Sequence, residues 1–135
     1  MPIVVVDDNS AHRYALKRTL EDGGFKTIEV GTGAEALAQA VASNPRLILL
    51  DLHLPDVSGL EVCRRLKSEA QTTHVPVVMF SAVDQTRTIV DDALQVGADA
   101  FLFFPMTDNE LGAVIRGSIA RANRQSRAFS IERYL

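Results

Sequence analysis

Four side chains in this sequence have the type and placing to do chemistry. Asp7 and Asp8 stand side by side after the apolar run Ile3–Val6, Asp51 follows the run "LILL", and Ser81 closes "VPVVMF". Ionised carboxylates within a few ångströms of one another repel, and without compensation at least one keeps its proton well above the ordinary carboxylate range. A hard divalent cation removes that conflict. Magnesium suits a site that offers one or two direct carboxylates and leaves its other positions to water and a phosphate group. The plainer explanation of Asp7 and Asp8 is that they cap the next helix, with Asn9 or Ser10 beside them, since acidic groups are favourable near helix N-termini. For Ser81 the plainer explanation is a serine that starts a loop. What decides between these explanations is whether the chain brings Asp51 to Asp7 and Asp8.

Short apolar runs alternate five times with segments of helical period. Strands are expected at 3–6, 27–30, 47–50, 77–80 and 100–103, and helices at 11–22, 33–42, 59–69, 86–96 and 108–122. Three helices open on a Ser or Thr followed three residues later by Glu, namely Thr32/Glu35, Ser58/Glu61 and Thr107/Glu110, which predicts capping boxes. Gly23 and Gly24 suit a helix stop, and Pro45, Pro76 and Pro105 stand at or near strand boundaries, where helices cannot continue. Continuous Val/Ile/Leu strands separated by helices call for a parallel sheet covered on both faces, an α/β doubly wound (βα)5 fold. With right-handed crossovers its common strand order is 2-1-3-4-5, the flavodoxin-like arrangement. Strands 1 and 3 then meet at the topological switch point, where ligands bind beyond the carboxyl ends of the strands. Asp7, Asp8 and Asp51 all arrive there.

Composition narrows the class. The chain has 135 residues, 47% of them hydrophobic, enough for one domain with one core. A lone cysteine, Cys63, makes no internal disulfide, and the apolar runs are of strand length, so a soluble cytoplasmic domain without a signal peptide or membrane span is expected. The net charge of −3 is uneven: residues 1–111 carry nine basic and sixteen acidic side chains, whereas residues 112–135 carry five arginines against Glu132. Cys63, within the third helix, reads as core filler, because nothing near it marks a reactive thiolate. Gly31 and Gly33 in "GTGAEAL" are better explained by a turn and a helix start than by nucleotide binding.

The stretches "VVVDDNS", "LILLDLHLPDVSGLEVCRRLK", "VPVVMFSA" and "GADAFLFFP", in that order, resemble the receiver domain of two-component response regulators over about residues 3–122. The resemblance implies that Asp51 is the phosphoacceptor, that Asp7 and Asp8 hold Mg²⁺ together with Asp51 and the backbone carbonyl of His53, that Ser81 is the hydroxyl approaching the phosphoryl group, and that Phe101 occupies the aromatic switch position. Pro55 and Gly59 match the loop and helix start after the phosphoacceptor. It further implies a histidine kinase or phosphotransfer protein as donor. An effector contact is expected on the fourth helix, fifth strand and fifth helix, and the same face could form a homodimer. The sequence departs from the pattern at Phe104, where the family usually has a lysine that reaches the phosphoryl group. No Lys or Arg stands anywhere in 103–107 to replace it.

Two readings from other classes stand beside the receiver. One is a pseudo-receiver, a protein-interaction module independent of phosphorylation. The other is a metal-dependent phosphohydrolase, weakened because His53 stands where such enzymes usually present a second acid. The His53 side chain could itself place an imidazole where the lysine is missing, although loop histidines are more often simply solvated. The segment "RGSIARANRQSRAFSIERYL" extends past the expected domain end, so residues 1–122 are taken as the receiver and 123–135 as a helical extension or linker. Arginines spaced along a helix usually form a solvated face, and with no reader motif after them direct nucleic-acid binding is not expected.

Overall fold

The computed structural model describes residues 1–83 and 87–133, with side chains through residue 125. Its strands are β1 (Ile3–Val6), β2 (Thr27–Val30), β3 (Leu47–Asp51), β4 (Val77–Ser81) and β5 (Ala100–Phe103), and its helices are α1 (Ser10–Asp22), α2 (Gly33–Ala42), α3 (Gly59–Ser68), α4 (Arg87–Gln95) and α5 (Asp108–Arg133). All strand pairs are parallel, in the order β2-β1-β3-β4-β5 expected for the doubly wound fold. Register places Val6 beside Leu50 and Asp51 beside Phe80, so the carboxyl ends of β1, β3 and β4 form one edge.

The apolar strands are two-faced, as a sheet covered on both sides requires. Val4, Val6, Ile48, Leu50, Val77 and Met79 point into one core with α2, α3 and α4. Ile3, Val5, Leu47, Leu49, Val78, Phe80 and Leu102 point into the other, where Leu16 and Leu20 of α1 meet Leu111, Ile115 and Ile119 of α5. Cys63 is fully buried in the first core, and burial pushes its thiol up to about 11, which fits core filler.

All three helix starts carry the expected Ser or Thr cap, but only one of the three expected boxes forms in full. Thr107 and Glu110 form the full reciprocal box, with the Thr107 hydroxyl accepting from the Glu110 amide at 3.1 Å and the Glu110 carboxylate accepting from the Thr107 amide at 3.3 Å. Thr32 caps α2 by accepting from the Glu35 amide. At α3 the expectation fails in detail. Ser58 accepts from the Leu60 amide, one residue short of the box, and Glu61 turns to Arg64 and Arg65 instead, since two guanidinium groups on the same helix compete for its carboxylate. β3 and β4 each run one residue further than expected, making Asp51 and Ser81 the last strand residues. The expected first residue of the fourth helix, Thr86, lies outside the described residues. α5 continues unbroken through residue 122, and Arg116, Arg121 and Arg124 are exposed along it.

Gly59 connects the fold to the phosphoacceptor loop. Its amide donates to the Leu52 carbonyl, and a Cβ there would lie 2.3 Å from the Asp51 carbonyl oxygen and 2.9 Å from the Leu52 Cα. Both neighbours are backbone and cannot rotate away. Gly59→Ala is therefore expected to cost about 1–3 kcal/mol, the usual penalty of overpacking, read as a lower urea midpoint at unchanged slope.

Candidate functional site

Asp7 follows β1 directly and is buried, Asp8 is exposed, and Asp51 at the end of β3 is half-buried. Carboxylate oxygens of the three lie within 4.8 Å of one another. The sheet order brings them together, since Asp51 comes from the strand that pairs with β1. With Asn9, His12 and His53 they line an open cleft of about 400 Å³, closed on one side by Phe80, Ala82 and Val83. Burial is the main reason that the Asp51 carboxyl is raised to about 7. The amide of His53, donating to Oδ1 at 3.1 Å, opposes the rise, and the neighbouring Asp7 and Asp8 add to it. A donor set of three close carboxylates, one of them held far above its ordinary range without a cation, fits a hard divalent ion.

Helix capping at α1 falls to Asn9, whose side chain accepts from the His12 amide at 3.0 Å. Asp7 supports that turn by accepting from the Asn9 amide at 2.9 Å, so the capping and site readings of the acidic pair are compatible. Asp8 has no part in the cap and faces the cleft.

Ser81 stands at the same sheet edge, fully buried, with its hydroxyl accepting from the Val83 amide at 3.2 Å. Phe101, partly buried, packs against the core under α3 and α4, its ring 5.1 Å from that of Phe103. His53 lies exposed at the mouth of the cleft and bonds to the cluster through its backbone amide. Phe104 turns the other way. Its amide donates to the Ser81 carbonyl, and its ring packs on the α1/α5 side between Phe80 and His12, where it also walls an apolar groove with Pro105 and Met106.

The contacts of three further residues near this sheet edge, His12, Arg13 and Asp56, were not read from the sequence. His12 Nδ1 lies 2.5 Å from Asp7 Oδ2. Arg13 donates to the Asp7 backbone carbonyl at 2.7 Å and to Glu29 at 3.2 Å, pinning the end of β1 to β2. Asp56, in the loop after β3, accepts from the amides of Gly33 and Ala34 at 2.9 and 3.0 Å, and these two bonds hold its carboxyl below the usual range. The amides at the start of α2 that an anion after "GTG" would meet are thus taken by an internal carboxylate. The signal for His12 was its place in the first turn of α1, because helical side chains lean back toward the N-terminus.

A family model for the response regulator receiver domain matches residues 3–116. The chain belongs to this family. Over 119 residues it is 37% identical to the DNA-binding response regulator MtrA of Mycolicibacterium paratuberculosis, covering 88% of this chain and 51% of that protein. The chain therefore spans about half the length of the curated relatives it matches. A solved receiver domain from a signal transduction histidine kinase of Syntrophus aciditrophicus is 29% identical, with a TM-score of 0.80 over 88% of this chain and 89% of that one. The fold also matches the receiver domain of sensor histidine kinase PA1611 from Pseudomonas aeruginosa, solved with magnesium in its active-site cleft (TM-score 0.81, 24% identity, 88% and 97% covered). The receiver domain described here is thus a signalling domain of the two-component type. The comparisons lend no support to the pseudo-receiver reading, and no described helix is long and apolar enough to cross a membrane.

Proposed function

We propose that Asp51 of this receiver domain accepts a phosphoryl group from the phosphohistidine of a histidine kinase or phosphotransfer protein, in the cytoplasm, with Mg²⁺ at the carboxylate cluster. The observation that carries this reading is the convergence of Asp7, Asp8 and Asp51 to within 4.8 Å at the switch point of the sheet. Asp8, Asp51 and the His53 carbonyl would hold the ion, with Asp7 completing the acidic set. Bound Mg²⁺ supplies positive charge to the transferring phosphoryl group. The chain's own contribution is orientation. The His53 amide on Oδ1 fixes the Asp51 carboxylate, leaving Oδ2 to attack phosphorus in line as the phosphorus–nitrogen bond breaks and its electron pair returns to the donor imidazole.

The output face would be α4, β5 and α5, which adjoin Ser81 and Phe101, and a second copy or an effector would dock there. Phe104 offers no donor to a phosphoryl oxygen, so the bond by which a lysine would draw β5 toward the site is missing, and the conformational response is correspondingly smaller. The test is intact-mass measurement after incubation with acetyl phosphate or phosphoramidate and Mg²⁺. The expected result is a gain of one phosphoryl mass that requires the metal. No gain at millimolar donor and Mg²⁺ would overturn the reading.

A further inference from the structure

The structure joins Phe104, which stands where a lysine is usual in the family, to His12 of α1. The rings of His12, Phe80 and Phe104 form a closed set of edge-to-face contacts. Centroids lie 5.6 Å apart for His12 and Phe80, 5.0 Å for His12 and Phe104, and 5.4 Å for Phe80 and Phe104, with interplanar angles of 62°, 82° and 89°. Such T-shaped pairs are the favoured geometry of aromatic rings. Two phenyl edges and faces thus set the plane of the imidazole, and in that plane Nδ1 reaches Asp7 Oδ2. Nδ1 and Oδ2 are thus within hydrogen-bond distance, and with the proton on Nδ1 the imidazole is the donor to the carboxylate. The other Asp7 oxygen accepts from the Asn9 amide. The Asp7 side chain, 2% exposed, is held from both ends.

We infer that His12 is the positioning residue of the metal site: clamped by Phe80 and Phe104, it locks the Asp7 carboxylate into the cation-binding arrangement against the repulsion of Asp8 and Asp51. Phenylalanine at 104 is then part of the site's construction, because a lysine stem would offer no ring edge or face to the imidazole. The cation absent from β5 is answered by a donor from α1, which acts on the acidic cluster and does not reach toward the phosphoryl group. Donors of this kind behind a metal-binding carboxylate are worth about 10–100-fold in metal affinity.

This inference rests on the proposal that the cluster binds Mg²⁺, and calorimetric titration of the phosphate-free protein with MgCl₂, at one alkaline pH where Asp51 is ionised, separates the two. Wild type that takes up no Mg²⁺ at millimolar concentration overturns the metal reading and this inference with it. If wild type binds, His12→Leu is expected to weaken binding about tenfold. His12→Asn, whose amide nitrogen can stand where Nδ1 stood, should recover most of that loss, which a merely space-filling role would not allow. Equal or tighter binding in His12→Leu, or equally weak binding in both variants, overturns the inference and leaves the metal reading in place. Should His12→Leu fail to fold, Phe104→Leu decides alone: it removes the ring beside His12 without touching Asp7, so weakened Mg²⁺ binding supports the inference and wild-type affinity overturns it.

Discussion

Asp51→Asn is expected to abolish the phosphodonor-dependent mass gain, leaving less than about a hundredth of the wild-type incorporation, because an amide lacks the anionic oxygen that attacks phosphorus. The variant keeps the shape of the side chain and can keep the bond from the His53 amide, since its carbonyl oxygen accepts where Oδ1 does now. It also removes one charge from a cluster in which burial and two neighbouring carboxylates already disfavour ionisation of Asp51. Metal-free Asp51→Asn should therefore melt no lower than wild type, and at neutral pH somewhat higher. That pairing is what makes the result informative, for lost incorporation in a protein of undiminished stability cannot come from unfolding. Incorporation that persists in Asp51→Asn would place the chemistry on another residue, and tandem mass spectrometry would locate it.

Mg²⁺ is expected to stabilise the domain by about 2.7 kcal/mol at a hundred times its dissociation constant, a rise of roughly 10 °C in melting temperature for a domain of this size. Asp8→Ala should remove that increment, because the exposed member of the cluster faces the cleft directly. The effect has a definite pH dependence. Asp51 has a folded-state pKa of about 7, above its ordinary value of 3.8, so between these limits the native state holds a proton that the unfolded chain has released. The metal-free protein accordingly loses stability as pH rises from about 4 to about 7, and solvent screening of a half-exposed carboxyl limits the loss to about 1–2 kcal/mol. A cation competes with that proton, so the Mg²⁺ increment should grow over the same range and level off above it. Melting curves at several pH values, with and without Mg²⁺, check both trends. A melting temperature indifferent to millimolar Mg²⁺ at pH 8 would mean that the three carboxylates do not form a cation site.

The strands and helices, their order and the meeting place of the three carboxylates were legible along the chain. β1 and the first four residues of β3 are unbroken apolar runs, which only a sheet covered on both faces can bury, and the alternation with helices left strand order 2-1-3-4-5 as the common solution. From that order alone Asp51 had to arrive beside Asp7 and Asp8. The full capping box at Thr107 was legible for the same reason: its parts lie three residues apart, and the backbone of one helical turn brings them together. What depends on side chains from distant segments was not legible until the chain was folded. Phe104 has no local signal for its direction; the rings of Phe80 and His12 draw it to the α1/α5 side and away from the carboxylates. Asp56 finds the amides of α2 only because the fold sets the loop after β3 against the start of that helix, and Glu61 leaves the cap at Ser58 for two arginines that a motif four residues long does not include. Hydrophobic period and capping chemistry act within a turn or a strand and can be read in order along the chain. The partner of a lone polar or aromatic side chain is chosen among everything that packing brings within a few ångströms, and only the folded chain makes that choice.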